Sequence, residues 1–181
     1  YDAEIACQDA QLGRLLDHLR RRGDLDRTVV IIAADHGEGH GEHDLFGHGF
    51  NVHQELVHVP LIIRWPERFP AGQPCATTIS TRRLFHTILD LAEMAGALGS
   101  DADLSLARLV DGAPDPEAGS ALAEAVPPLT FLNLLGHRRA PVIDRLRLRE
   151  TRRGIYEGDL KLIVRGDQVE ALYDIGRDPA E

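Results

Sequence analysis

Val29-Val30-Ile31-Ile32-Ala33-Ala34 runs without a polar break into Asp35-His36-Gly37-Glu38. The apolar run is short, rich in β-branched residues and free of polar alternation, so it reads as a strand buried on both faces. That pattern belongs to a parallel-type sheet covered by helices. Asp35 and His36 then fall at the carboxyl end of the strand, where open α/β sheets place their ligands.

The flanking segments read in the same way. Ile5, Leu12, Leu15, Leu16 and Leu19 recur at helical spacing over residues 3–22, and Gly23 follows Arg20, Arg21 and Arg22 as the stop. Cys7 lies inside this pattern and reads as a buried free thiol. It and Cys75 form no Cys-x-x-Cys pair, and two cysteines do not make a disulfide framework. Asn51 reads as the cap of a short helix to about Val57, Pro60 ends it, and Leu61-Ile62-Ile63 reads as a second buried strand. Ser80 or Thr81 reads as the cap of a helix to about Ala95, with Leu84, Phe85, Ile88, Leu89 and Ala92 as its apolar face.

Residues 96–128 are rich in Gly, Asp, Ala and Pro and read as loop with at most a short helix. Leu129 to Asn133 reads as a strand. Three more strands are expected at about 147–156, 159–164 and 169–173, with Gly158-Asp159 and Gly166-Asp167 as turns. The expected architecture is α/β. An α/β part spans 1–95, a loop region 96–128, and a small α+β subdomain with an antiparallel sheet 129–181.

Composition narrows the function. The chain has 181 residues, 43% hydrophobic and 27% charged, in the range of globular proteins. A formal net charge of -9 argues against nucleic acid as the main partner. No stretch reaches the roughly 18–20 apolar residues of a membrane span. Oligomeric state and compartment leave no trace in the sequence.

The chemistry concentrates between His36 and His58, which holds six of the nine histidines. Asp35, Glu38, Glu42 and Asp44 are interleaved with them, and Gly37, Gly39, Gly41, Gly47 and Gly49 keep the backbone free to bend. Imidazole with carboxylate is metal-binding chemistry and also acid–base chemistry near neutral pH. A solvated His- and Gly-rich turn is the competing reading, and the position at a strand's end favours a site. A helical zinc site is excluded, because Gly37, Gly39 and Gly41 would each cost about 1 kcal/mol in a helix.

The ordered blocks from Tyr1 to Gly72 resemble the sulfatase family of the alkaline phosphatase superfamily. They are Tyr1-Asp2-Ala3-Glu4-Ile5, Asp9-Ala10-Gln11-Leu12-Gly13, Asp35-His36-Gly37-Glu38, Gly41-Glu42-His43, Gly47-His48-Gly49 and Val59-Pro60-Leu61-Ile62-Ile63-Arg64-Trp65-Pro66. Tyr156-Glu157-Gly158-Asp159-Leu160-Lys161 and Leu172-Tyr173-Asp174 with Asp178-Pro179 resemble the ending of such enzymes.

The resemblance implies a hydrolase of sulfate esters, on small molecules or glycans. Asp35 and His36 would be two ligands of a divalent metal, calcium by the family's habit, with manganese or magnesium as alternatives. His48 stands where many members carry a lysine that contacts the charged ester, which makes it a catalytic and substrate-binding candidate. His43 is a second substrate-binding candidate. His18, His53, His58, His86 and His137 read as ordinary surface or packed histidines. The family's formylglycine nucleophile arises from Cys or Ser in Cys/Ser-x-Pro-x-Arg, and neither Cys7 nor Cys75 has that context. The resemblance therefore implies the carboxy-terminal part of a longer enzyme, inactive alone. Alternatives are a phosphonate or phosphate ester hydrolase, a phosphoethanolamine transferase of the same superfamily, or a non-catalytic remnant.

Overall fold

A computed structural model describes residues 1–94, 96 and 101–181, without the side chain of His137. In chain order the elements are α1 (Asp2–Arg22), β1 (Val30–Ala33), β2 (Gly39–His40), β3 (Phe46–Gly47), α2 (Gln54–Val57), β4 (Leu61–Arg64), α3 (Arg83–Leu91), α4 (Leu106–Val110), β5 (Ser120–Ala125), α5 (Leu129–Arg145), β6 (Arg152–Glu157), β7 (Leu160–Arg165) and β8 (Gln168–Asp174). The architecture is α/β with a small antiparallel sheet in its carboxy-terminal part. Two compact units result, one from residues 1–33 with 61–74, the other from 34–60 with 75–181.

In the first unit, α1 ends on Gly23 at φ 74, a left-handed backbone that glycine adopts without steric cost. None of the residues of α1 is buried, so Cys7 is an exposed thiol, contrary to the expectation from the helical pattern. β1 and β4 pair with Val30 opposite Arg64 and Ala33 opposite Leu61. The pairing is antiparallel. An apolar run reports what can cover a strand's faces and leaves its direction open. Here β1 is half-buried with Ala33 exposed, so burial on both faces is not observed.

The second unit is organised by the sheet β5-β6-β7-β8, antiparallel throughout. Gly158 and Gly166, at φ 58 and 55, open the two-residue turns between its last three strands, as two-residue hairpins with a leading glycine require. One face of the sheet packs Ala125 and Ile163 against Val52, with Val57, Ala123, Ala171 and Tyr173 around them. Gly154 permits this approach, since a Cβ there would meet Val52 at 3.2 Å. A second cluster joins Leu132, Ile143 and Leu148 to Leu45 and Phe50.

Several expectations change. Leu129 to Asn133 opens the helix α5, and Leu129, Leu132 and Leu135 keep a three-residue spacing that suits a helix. Residues 96–128 contain α4, as a short helix was allowed for, and also the strand β5. Its Ser-Ala-Leu-Ala-Glu-Ala sequence carries little intrinsic strand preference, and pairing with β6 decides its state. On α3 the buried residues are Arg83, Thr87 and Leu89, while Phe85 and Ile88 are exposed. Arg83 is drawn inward by Leu104 O at 2.9 Å and Asp115 Oδ1 at 2.8 Å, and Thr87 Oγ1 accepts from Leu106 N. Ser80 and Thr81 provide no side-chain cap to α3, and its expected end at Ala95 lies outside the described residues.

Truncating Ile163, fully buried between the sheet and Val52, removes the centre of this core. Ile163→Ala is expected to lower stability by about 2–5 kcal/mol in urea denaturation, the usual range for a buried aliphatic cut to alanine.

Candidate active site and its supports

The loop between Ala34 and Pro60 carries the sequence-selected residues, and its backbone is irregular. Gly41, Gly47 and Gly49 have φ of 123, 84 and 87, and His43 and Asp44 also adopt positive φ. At Gly37 a Cβ would lie 1.9 Å from Glu55 O. Only glycine permits this approach, and the Gly37 N–H uses it to donate to Leu56 O at 2.8 Å.

Asp35 and His36 sit side by side, with Asp35 Oδ2 3.8 Å from His36 Nε2. The His36 Nδ1–H donates to Gly37 O at 2.8 Å, because a carbonyl can only accept. That bond leaves Nε2 with its lone pair free, the arrangement found in metal-bound histidines. The Asp35 carboxyl is held below its usual range, first by the hydrogen bond from the His36 backbone N–H. Two atoms on one ion, each bonded at about 2.0–2.6 Å, can lie up to roughly 4–5 Å apart. The 3.8 Å separation and the free Nε2 therefore suit a shared cation.

His48 joins this group. Its ring centroid is 4.3 Å from that of His36, and its Nδ1 is 3.2 Å from Glu38 Oε1. Asp35, His36, Glu38 and His48 thus form one open cluster. His43 belongs to another group: its ring stacks on that of His53 at 3.6 Å and 9°, and its Nε2 lies 3.8 Å from Glu55 Oε2.

His53, read from sequence as ordinary, is a packed histidine with a carboxylate partner, Glu181 Oε2 at 2.6 Å from Nδ1. No local signal could announce a partner 128 positions away. Among the described residues, His43, His53 and Glu181 are the grouping whose donor atoms come within 4.8 Å of one another. Their geometry suits a cation poorly. Imidazole lone pairs lie in the ring plane, and one ion cannot lie in two nearly parallel planes 3.6 Å apart.

The segment beneath the loop is firmly held. Asn51, Val52 and His53 are buried, and Asn51 Oδ1 accepts from His53 N at 3.0 Å just before α2. Buried Arg152 donates to Phe50 O at 2.9 Å, to Leu146 O at 3.0 Å and to Glu170 Oε2 at 2.8 Å. His18 and His58 are exposed and His86 is half-buried, while the side chain of His137 lies outside the described set.

A family model described as Sulfatase matches residues 1–94, more than half of the chain. The chain belongs to the sulfatase family. Among curated sulfatases it is 35% identical over 92 residues to N-acetylglucosamine-6-O-sulfatase of Bacteroides thetaiotaomicron, covering 51% of this chain and 16% of that protein. It is 36% identical over 92 residues to arylsulfatase K of Xenopus laevis, covering 51% and 17%. The matched stretch spans about a sixth of the length of these relatives. Among solved structures, phosphonate monoester hydrolase of Agrobacterium radiobacter aligns with TM-score 0.67 and 26% identity over 96% of this chain and 34% of its own. Phosphonate monoester hydrolase SpPMH of Silicibacter pomeroyi has TM-score 0.67 and 24% identity over 95% and 35%. The fold is thus that of the alkaline phosphatase superfamily, and this sulfatase chain comes from a family that generally uses a divalent metal.

The acid response of the second unit follows from its carboxylates. Burial raises the Glu170 carboxyl, but the Arg152 hydrogen bond and charge outweigh it and the net shift is downward. A lowered folded value means that the unfolded state binds the proton first, so this stabilisation is complete above the ordinary glutamate value, 4.5, and is lost as pH falls through the folded value. Glu181 shifts in the same direction. Stability measured by urea denaturation should fall below about pH 4.5, and Glu170→Gln should lower neutral-pH stability while flattening that dependence.

Proposed function

We infer that this chain is part of a sulfatase-type hydrolase that cleaves sulfate esters with the aid of a divalent cation. The observation that supports this most is the Asp35–His36 pair, 3.8 Å apart, with the His36 Nδ1–H committed to Gly37 O. In this reading Asp35 Oδ2 and His36 Nε2 are two ligands of a calcium, manganese or magnesium ion. The bound ion would withdraw charge from an ester oxygen and favour ionisation of the nucleophile. The nucleophile, a formylglycine, and the remaining ligands would come from sequence on the amino-terminal side.

The chain's own residues then bind, orient and donate. Asp35 is held ionised by the His36 backbone N–H. Glu38 accepts from His48 Nδ1–H and turns Nε2 outward. When Nε2 is also protonated, the ring donates to the ester's oxygens, stabilising a non-bridging oxygen or protonating the departing alcohol oxygen. His43, a substrate-binding candidate by sequence, is set apart from this cluster by its stack on His53 and its contact with Glu55, and its part in this reading is to brace the loop. The relatives' names favour sugar or aryl sulfates as substrates.

A second reading is phosphonate or phosphate ester hydrolysis. The phosphonate monoester hydrolase of Agrobacterium radiobacter, aligned over nearly all of this chain, favours it.

The test uses the longer gene product that contains this chain, assayed on p-nitrophenyl sulfate and on a phenylphosphonate monoester. Sulfate should be the faster substrate, and Asp35→Ala or His36→Ala should each lower kcat/KM by about 100-fold or more. The isolated 181-residue chain should show no turnover, because two ligands fall far short of the roughly six to eight that calcium takes. Turnover by the isolated chain, or full activity in both variants, would refute the assignment.

A further inference from the structure

Glu181 is a carboxylate with no exposed side-chain surface. Its Oε1 lies 2.5 Å from Lys161 Nζ, and its Oε2 takes the His53 Nδ1–H at 2.6 Å and the Gln54 backbone N–H at 3.2 Å. Lys161 is the single lysine of the chain and is itself fully buried. Its Nζ also donates to Gln54 Oε1 at 3.4 Å, where the Tyr156 hydroxyl donates at 2.6 Å. Burying two charges is costly unless they are paired and hydrogen-bonded. Burial raises the Glu181 carboxyl, but His53 and Lys161 outweigh it and the net shift is downward, so the group is an anion in place.

The route from this anion to the cation pair is short. Glu181 Oε2 holds the first N–H of α2 and the ring just before it. Two residues later Leu56 O accepts from Gly37 N at 2.8 Å, and Gly37 O in turn fixes His36 Nδ1 at 2.8 Å. The stacked His43 ring and its Glu55 contact brace the same turn from the loop side. The parallel rings disfavour a cation among His43, His53 and Glu181, and the Lys161 ammonium already neutralises the carboxylate.

We propose that Glu181 is a positioning residue for the Asp35–His36 pair, acting through His53 and α2, with Lys161 as its counter-ion. Its relevance to catalysis rests on the ligand assignment above, but its structural content does not. Mutation of Glu181 should disturb His36 without touching it.

The experiment uses histidine-labelled protein containing this chain, with two readouts, the ring ¹H–¹⁵N spectrum without metal and the broadening of the Asp35 and His36 amides by Mn²⁺. In the wild type, His36 and His53 should both show the Nδ1–H tautomer. In Glu181→Gln, the His36 ring signals should move or split and the Mn²⁺ midpoint should rise about tenfold, the lower end of what supporting residues around a metal supply. His53→Gln, which cuts the same path, should do likewise. Unchanged His36 signals and midpoint in either folded variant would overturn the proposal. So would loss of fold in both variants, which would make the cluster a folding element. Absence of Mn²⁺ broadening in the wild type would sink the ligand assignment alone, and the metal-free spectrum would still decide the positioning role.

Discussion

A loop built from alternating glycines and charged side chains cannot hold its own shape, because each glycine adds conformational freedom that ordering must remove. Here the constraint comes from the segment that follows. Val52 is pressed into the sheet beside Ile163, and Arg152 grips the Phe50 carbonyl. Its remaining contacts reach Leu146 at the end of α5 and Glu170 on β8. One buried guanidinium thus ties loop, helix and sheet together. The Asp35–His36 geometry has meaning because its far end is anchored in this way.

The anchoring also explains why the histidines divide into two groups with different chemistry. Asp35, His36, Glu38 and His48 lie on the open side, where an anionic ester and a cation could be met. His43 and His53 lie on the held side, stacked and paired with Glu55 and Glu181. In the open group each ring bonds through Nδ1, His36 to Gly37 O and His48 to Glu38, while in the held group His53 Nδ1 bonds Glu181 and His43 Nε2 faces Glu55. Such a division lets one loop be chemically exposed and mechanically fixed, which preorganised sites need.

Much of this was legible in the sequence. The helix ending at Gly23, the strand before Asp35 and the three hairpin strands after Thr151 all announce themselves by period or by turn glycines. The adjacency of Asp35 and His36 was legible too, since neighbours in a chain cannot be far apart. Strand direction was not, because an apolar run is silent about it. β5 was hidden by alanines that take their state from a partner strand. The inward turn of Arg83 was hidden because its acceptors, Leu104 and Asp115, lie more than twenty residues on. The role of His53 was hidden for the same reason, its partner being the distant Glu181. Local pattern reports local structure, and long-range polar pairing leaves almost no local trace.

In the proposed function Asp35 and His36 share a cation. A crystal of the protein grown with Mn²⁺ and measured near the manganese absorption edge tests it directly. One anomalous peak is expected within bonding distance of Asp35 Oδ2 and His36 Nε2, with His36 Nδ1 still on Gly37 O. A peak between His43, His53 and Glu181 instead, or a fully occupied ion elsewhere with Asp35 and His36 left bare, would contradict it.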